Sequence, residues 1–119
     1  MGVLTRVDHI DLKVPDLAVA LDFFAALGFV EVRRTPARGS VEVALPGAGQ
    51  VIFELREDPE LDRFVMDHIA FGSTDQAADA AALAAAGRSF SRTNTFIPVT
   101  GKTISDFTDP WGSRWQLSD

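Results

Sequence analysis

Cysteine and tyrosine are both absent from the 119-residue sequence, and histidine occurs only twice. Without cysteine the chain can form no disulfide, zinc finger or iron–sulfur cluster, and it has no thiol nucleophile. Basic residues are also scarce, because 11 Lys and Arg stand against 17 Asp and Glu, for a formal charge of −6. No basic stripe is present that would displace counterions from a phosphate backbone, so we expect no nucleic-acid partner.

Long apolar runs are missing as well. The longest, residues 77–86, is interrupted by Asp79 and falls far short of the ~20 residues that a membrane helix needs. Residues 1–14 contain two aspartates and no extended apolar segment of the kind found in signal peptides. We therefore expect a cytoplasmic protein without membrane contacts. The length and the 46% hydrophobic content are typical of one compact domain spanning residues 1–119.

An internal repeat organises this domain. The segment VDHI at residues 7–10 recurs as MDHI at residues 66–69, an offset of 59 residues from His9 to His68. In each copy, a strand of alternating apolar and polar residues is followed by an aspartate at a helix N-cap and then by three more strands. We predict βαβββ twice: a first module over about residues 1–57, a charged linker over about 58–64, and a second module over about 65–119.

Four of the predicted strands carry a polar side chain opposite their apolar face. His9 and His68 lie on the first strands of the two modules, and Glu54 and Gln116 on the last strands. Two imidazoles and one carboxylate suit a divalent Fe, Mn, Ni, Co or Zn ion, and an amide oxygen is a weaker fourth ligand. Two structural histidines are the alternative interpretation, but their equivalent places in a repeat favour metal binding.

Other residues also invite a functional reading. Residues Thr93–Lys102 are predicted to form a loop between two strands, either a lid that brings Lys102 to an anionic substrate or a variable tip. Arg33, Arg34 and Arg38 flank a Pro/Gly loop, and we expect them on a solvated surface rather than in an anion site.

Several short motifs, taken together, point to a known family. They are VDHI at 7–10, PD at 15–16, LGF at 27–29, FEL at 53–55, MDHIAF at 66–71, TDPWG at 108–112 and WQL at 115–117. With these motifs the chain resembles, over nearly its whole length, the vicinal oxygen chelate superfamily. That superfamily includes glyoxalase I, bleomycin resistance proteins, fosfomycin resistance enzymes, methylmalonyl-CoA epimerase and extradiol dioxygenases. The resemblance implies an α+β fold in which paired βαβββ modules form an open, cupped mixed sheet with the helices outside.

The resemblance also implies a ligand set. Metal ligands in this superfamily come from the first and last strand of each module, which carries over to His9, Glu54, His68 and Gln116. The last position is usually a glutamate that, in glyoxalase-like members, is both ligand and proton-transferring base. Because Gln116 cannot accept a proton, Glu54 is the predicted catalytic residue and the sole anionic ligand. The ion and its ligands then carry a net charge near +1, which favours an anionic chelating substrate.

Two main classes of function follow from this resemblance, beside a third, a regulatory or accessory domain that keeps the fold without chemistry. The first is a small metal-dependent enzyme with glyoxalase-like lyase or isomerase chemistry on a substrate chelated through adjacent oxygens. A dioxygenase is less favoured, since extradiol enzymes usually double the unit again. The alternative is a metal-free protein of the bleomycin-resistance type that binds a small molecule, for which the negative charge suits a cationic ligand. By analogy we expect a homodimer, with the site formed either within one chain or across two.

Overall fold

The computed structural model describes residues 3–119, which form two βαβββ units. The first unit is His9–Asp67, and the second is His68–Asp119 together with the N-terminal segment up to Asp8. The predicted α+β class and the repeated βαβββ order are confirmed.

The elements of the two units correspond one to one. In the first half of the chain they are β1 (Val7–Val14), α1 (Leu17–Ala26), β2 (Val30–Thr35), β3 (Ser40–Ala44) and β4 (Ile52–Glu57). In the second half they are β5 (Val65–Gly72), α2 (Gln76–Ala85), β6 (Phe90–Ile97), β7 (Lys102–Thr108) and β8 (Arg114–Ser118). The strand order is β2-β3-β4-β1 in one unit and β6-β7-β8-β5 in the other. In each, the first and last strands pair in parallel and the other neighbours pair antiparallel.

Each helix begins at the aspartate that the sequence predicts as its N-cap. The carboxylates of Asp16 and Asp75 each accept a hydrogen bond from the backbone N–H three residues further on, at 3.1 Å. Gly28 and Gly87 follow the helices with φ of 101° and 93°, a region that glycine adopts without a steric cost. The sequence repeat thus corresponds to repeated start and stop signals. Within the described residues, neither helix is long and apolar enough to span a membrane.

One face of the first unit's sheet packs against α1. Its buried apolar core consists of Val14, Ala20, Phe24, Val41, Val43 and Leu55. The ring of Phe24 lies 5.0 Å from that of Phe29 and 5.7 Å from that of Phe53, centroid to centroid. Because side chains alternate along a strand, this apolar face leaves the opposite face of β1, β3 and β4 to polar residues.

In the second unit, a buried polar link joins α2 to the sheet. The Ser105 hydroxyl donates to Gln76 Oε1 at 2.7 Å, and Gln76 Nε2 donates to the Thr103 carbonyl at 2.5 Å. Leu117, which is fully buried, pairs with Ser105 across β7 and β8 and therefore lies on the same face. The helix is alanine-rich, so these hydrogen bonds supplement a thin apolar contact.

Strand β6 is longer than its sequence suggests. It continues to Ile97, so only residues 98–101 connect it to β7, and the prediction of a loop over Thr93–Lys102 is wrong. The register of β6 against β7 shifts twice, which interrupts the alternation that would identify a strand. Lys102 does not lie on a lid, because it begins β7 and its ammonium is 3.4 Å from the Asp8 carboxylate.

The turn at residues 109–112 aligns β7 with β8. Asp109 accepts hydrogen bonds from the backbone N–H groups of Trp111 and Ser113, at 2.9 and 3.0 Å. Its other oxygen accepts one from Trp115 Nε1 at 3.0 Å. The bond from Trp115, supported by the two backbone donors, holds the pKa of Asp109 below its usual range. This turn fixes which residues of β7 and β8 face each other.

Candidate metal-binding and catalytic site

His9 and Glu54 share the polar face of the first unit. Strands β1 and β4 run parallel, with His9 paired to Ile52 and Asp11 paired to Glu54. Directly paired residues project to the same side of a sheet, and so do residues two apart on one strand. His9 is only 4% exposed, and the Glu54 side chain 12%. We call His9 and Glu54 the first ligand pair.

His68 and Gln116 occupy the corresponding places in the second unit. Ala70 pairs with Gln116 across β5 and β8, and His68 precedes Ala70 by two residues, as His9 precedes Asp11. Both side chains are buried, with 3% and 4% exposure. We call His68 and Gln116 the second ligand pair. Each unit therefore places one predicted histidine ligand and one predicted oxygen ligand on the same face.

An arginine contacts the first ligand pair. Arg38 Nε donates to Glu54 Oε1 at 2.6 Å, and Arg38 Nη2 lies 3.7 Å from Asp11 Oδ2. The expectation that Arg38 lies on a solvated surface is wrong. Its turn between β2 and β3 brings the side chain over the polar face, where buried carboxylates attract it. Arg33 and Arg34 are more exposed and pair with Glu42 and Glu31.

Asp11 is the most deeply buried charge of this face, with no exposed area. Its Oδ1 accepts hydrogen bonds from Arg56 Nε and Nη2, at 3.1 and 2.8 Å. Burial opposes the charged form of Arg56, but the hydrogen bonds and charge of Asp11, with the charges of Asp67 and Glu54, hold its pKa above the ordinary value. Oδ2 of Asp11 has no hydrogen-bond partner among the described residues. The polar face of the first unit is therefore rich in buried charge.

In the second unit, Asp106 on β7 connects the ligand pair to two arginines. Gln116 Nε2 donates to Asp106 Oδ1 at 2.9 Å, and Arg92 Nε donates to Asp106 Oδ2 at 2.5 Å. Arg114 Nη1 is 4.0 Å from the same Oδ2, and its Nη2 is 2.8 Å from His68 Nδ1. All of these side chains belong to one connected polar network.

The contact between Arg114 and His68 defines the tautomer of the imidazole. A guanidinium has donors only, so Nδ1 accepts and the ring proton lies on Nε2. An imidazole that binds a metal through Nε2 carries its proton on Nδ1 instead. Metal binding at His68 through either nitrogen therefore requires Arg114 to release Nδ1, and Asp106 is a carboxylate to which it can turn.

The two ligand pairs carry donors of the kinds that a divalent ion accepts. Two imidazoles, one carboxylate and one amide are ligands that Fe, Mn, Co, Ni and Zn accept. The amide of Gln116 has its NH₂ group directed to Asp106, which leaves Oε1, the atom that can bind a cation.

Asp11 and Asp106 were not identified as site residues from the sequence, although a signal exists. In KTISDFT, residues 102–108, the same alternation that selects Gln116 on β8 also places Asp106 on one face of β7. A charged residue inside such a buried strand indicates a site as a histidine does, because a buried charge without a partner is costly in free energy.

The comparisons with known proteins agree with this architecture. The family model for the Glyoxalase/Bleomycin resistance protein/Dioxygenase superfamily matches residues 6–117. A Glu-to-Gln variant of Streptomyces coelicolor methylmalonyl-CoA epimerase, in complex with 2-nitronate-propionyl-CoA, is 25% identical with a TM-score of 0.71, and the match covers 97% of this chain and 96% of that chain.

Two further structures are similar to this chain over nearly its whole length. A methylmalonyl-CoA epimerase in complex with methylmalonyl-CoA and NH4+ is 26% identical with a TM-score of 0.71, over 97% of this chain and 94% of that one. The methylmalonyl-CoA epimerase of Mycobacterium tuberculosis, 20% identical with a TM-score of 0.68 over 99% and 89% of the two chains, supports the fold alone. No curated protein matches the sequence.

Proposed function

Since the chain belongs to the glyoxalase/bleomycin resistance protein/dioxygenase superfamily, we propose that it is a metal-dependent enzyme that transfers a proton next to a carbonyl group. The observation that carries this proposal is the equivalence of the two ligand pairs. In the first unit, the buried His9 lies two residues before Asp11, which pairs with Glu54. In the second unit, the buried His68 lies two residues before Ala70, which pairs with Gln116. Histidines with a purely structural role would not require an oxygen ligand at the equivalent place in both units.

The proposal assigns the metal to His9, Glu54, His68 and Gln116. When bound, a divalent ion supplies Lewis-acid stabilisation of the oxyanion that forms on loss of a proton from carbon. With only one carboxylate among the ligands, the ion and its four ligands together carry a charge near +1, which favours an anionic substrate over a neutral one. The nitrogen and oxygen ligands assign the ion to the divalent transition metals Fe, Mn, Ni, Co and Zn.

Glu54 is the proposed proton acceptor. Gln116 cannot take a proton, so the carboxylate of the ligand set is the base that remains. Arg38, at 2.6 Å from Oε1, neutralises this carboxylate while the substrate is absent. We infer that Arg38 moves away from Oε1 when the site is loaded, towards Asp11 Oδ2, which is 3.7 Å from Nη2 and has no hydrogen-bond partner of its own in the described chain.

The structures at 25% and 26% identity indicate a substrate class. They hold methylmalonyl-CoA or 2-nitronate-propionyl-CoA. In methylmalonyl-CoA a thioester carbonyl and a carboxylate flank the acidic carbon, which provides two oxygens for chelation and one negative charge. We propose a substrate with these features: a carbonyl, a neighbouring oxygen and an anionic group.

A second candidate function is metal-free binding of a small molecule, and one observation favours it. Arg38 contacts Glu54, and Arg114 contacts His68. In each unit a guanidinium group therefore supplies the positive charge beside the ligand pair, without a metal ion. In this alternative the arginines stay in place and the four residues line a binding surface.

A deuterium-exchange assay distinguishes the two functions. Protein stripped of metal is reloaded with Mn²⁺, Co²⁺, Ni²⁺ or Zn²⁺ and incubated in D₂O with methylmalonyl-CoA or with the hemithioacetal of methylglyoxal and glutathione. We expect the loaded protein to accelerate deuterium incorporation over buffer by at least about 10²-fold, a typical contribution of a positioned base. His68→Ala serves as the control and should stay at background. Exchange at the buffer rate with every ion and both compounds would favour the metal-free alternative.

A further inference from the structure

The two ends of the Gln116 amide are chemically opposite, and only one of them can bind a cation. Oε1 is an acceptor, whereas the NH₂ group is a donor and would repel a metal ion. A glutamate at this place has two equivalent oxygens and needs no such orientation. The glutamine therefore creates a requirement: something must determine which end of the amide faces the site.

Asp106 has the chemistry to determine it. An ionised carboxylate accepts hydrogen bonds and never donates them, so it selects the NH₂ end of a neighbouring amide. The register of β7 and β8 pairs Asp106 directly with Gln116, and Gln116 Nε2 lies 2.9 Å from Asp106 Oδ1. The reversed amide would place Oε1 against Oδ1, two acceptors in a buried place.

The Asp106 side chain is itself held in place by its neighbours. The side chain is 5% exposed, and its second oxygen accepts a hydrogen bond from Arg92 Nε at 2.5 Å. Arg114 Nη1 adds a second positive charge at 4.0 Å. A buried carboxylate with these partners is held in position, which makes it a rigid reference for the amide beside it.

We propose that Asp106 is a positioning residue that holds the Gln116 amide with Oε1 directed to the metal. Asp106 touches neither metal nor substrate in this role and acts through Gln116. The inference rests on the proposed metal function, and it explains why a glutamine is tolerated where related proteins usually have glutamate. It also predicts that Asp106 suits glutamine and opposes glutamate at position 116.

A double-variant cycle tests this by metal affinity rather than by activity. Co²⁺ binding is titrated by calorimetry and by visible absorption for the wild type, Asp106→Asn, Gln116→Glu and the double variant. With Gln116 present, we expect Asp106→Asn to weaken Co²⁺ binding by roughly 10–100-fold, the usual effect of losing a partner that orients a ligand. With Gln116→Glu, the same change should leave binding unchanged or strengthen it, because an asparagine amide can donate to the new carboxylate, whereas the carboxylate of Asp106 repels it.

Asp62→Asn is the matched control. It makes the same chemical change at an aspartate that is 80% exposed and pairs with Arg63 at 2.8 Å. We expect Co²⁺ affinity to change by no more than about twofold. Asp106→Ser, smaller and also neutral, repeats the cycle if Asp106→Asn does not fold. Equal weakening in both backgrounds would overturn the proposal, since a purely structural role of Asp106 predicts that result.

A measurement without metal separates this proposal from the proposed function. In the ¹H–¹⁵N NMR spectrum of the metal-free protein, the side-chain NH₂ of Gln116 is assigned by its loss in Gln116→Glu. We expect one of its protons to be shifted and slow to exchange in the wild type, and to lose both properties in Asp106→Asn. Unchanged NH₂ signals would overturn the proposal. If the wild type binds no metal while these signals respond as expected, the metal function fails and the orienting role of Asp106 stands.

Discussion

Replacement of Glu54 by glutamine is expected to weaken divalent-metal binding by at least about 10-fold and to lower the rate of proton exchange by about 10²–10⁴-fold. The substitution leaves two imidazoles and two amides, a ligand set with no negative charge and no base. The side chain is 12% exposed and its ion pair is with the partly exposed Arg38, so we expect its effect on unfolding free energy to stay near 1 kcal/mol. Isothermal titration and the deuterium-exchange assay measure the first two quantities, and urea denaturation the third.

Glu31→Gln is the control for this change. Glu31 lies on β2 of the same unit, where its carboxylate is exposed and pairs with Arg34 at 2.6 Å. That hydrogen bond, with the charge of Arg34, holds the pKa of Glu31 below its usual value. We expect this variant to keep wild-type metal affinity and exchange rate. If Glu31→Gln and Glu54→Gln lowered both to the same degree, a general loss of negative charge would explain the result and the assigned role of Glu54 would be wrong.

Leu55→Ala should show the opposite pattern at the next residue along β4. Leu55 has no exposed area and lies in the core beneath α1, on the face opposite to Glu54. Loss of a buried leucine side chain costs about 2–5 kcal/mol, because apolar contacts are lost and a cavity remains. Under conditions in which the variant is folded, we expect metal affinity to equal that of the wild type. Urea titration followed by circular dichroism, together with calorimetry, measures both effects.

Leu45→Ala is the matched control for the core substitution. Leu45 follows β3 and is 41% exposed, so its truncation should change the unfolding free energy by no more than about 0.5 kcal/mol. A folded Leu55→Ala protein that had lost metal binding to the extent of Glu54→Gln would contradict the separation of the two faces. Glu54 and Leu55 thus test whether one face of β4 serves metal binding and the opposite face serves stability.

Much of the fold follows from the sequence because its signals are local and occur twice. Alternation identifies β1 and β5, the aspartates at 16 and 75 begin the helices, and the glycines at 28 and 87 follow them. The same period of two places His9 and Glu54 on one face, since a strand alternates regardless of what it pairs with. These predictions need no knowledge of tertiary contacts.

The features that the sequence did not reveal depend on pairing and on long side chains. The contact of Asp106 with Gln116 depends on the register of β7 with β8, which no local pattern specifies. Arg38 reaches Glu54 across a turn, and no local pattern states where a flexible guanidinium will find its counter-charge. The second part of β6, residues 93–97, was not predicted as strand because its register shifts interrupt the alternation.

We propose above all that His9 and His68 are equivalent ligands of one metal ion. The most direct test of this proposal is the metal content of untagged protein after equilibrium dialysis against Co²⁺ or Zn²⁺, for the wild type, His9→Ala and His68→Ala, with Asp22→Ala on the exposed surface of α1 as the control. We predict one tightly bound ion per chain in the wild type and the control, and loss of that ion in each histidine variant that remains folded by circular dichroism. A wild type that retains no ion, or histidine variants that retain as much as the wild type, would contradict the account.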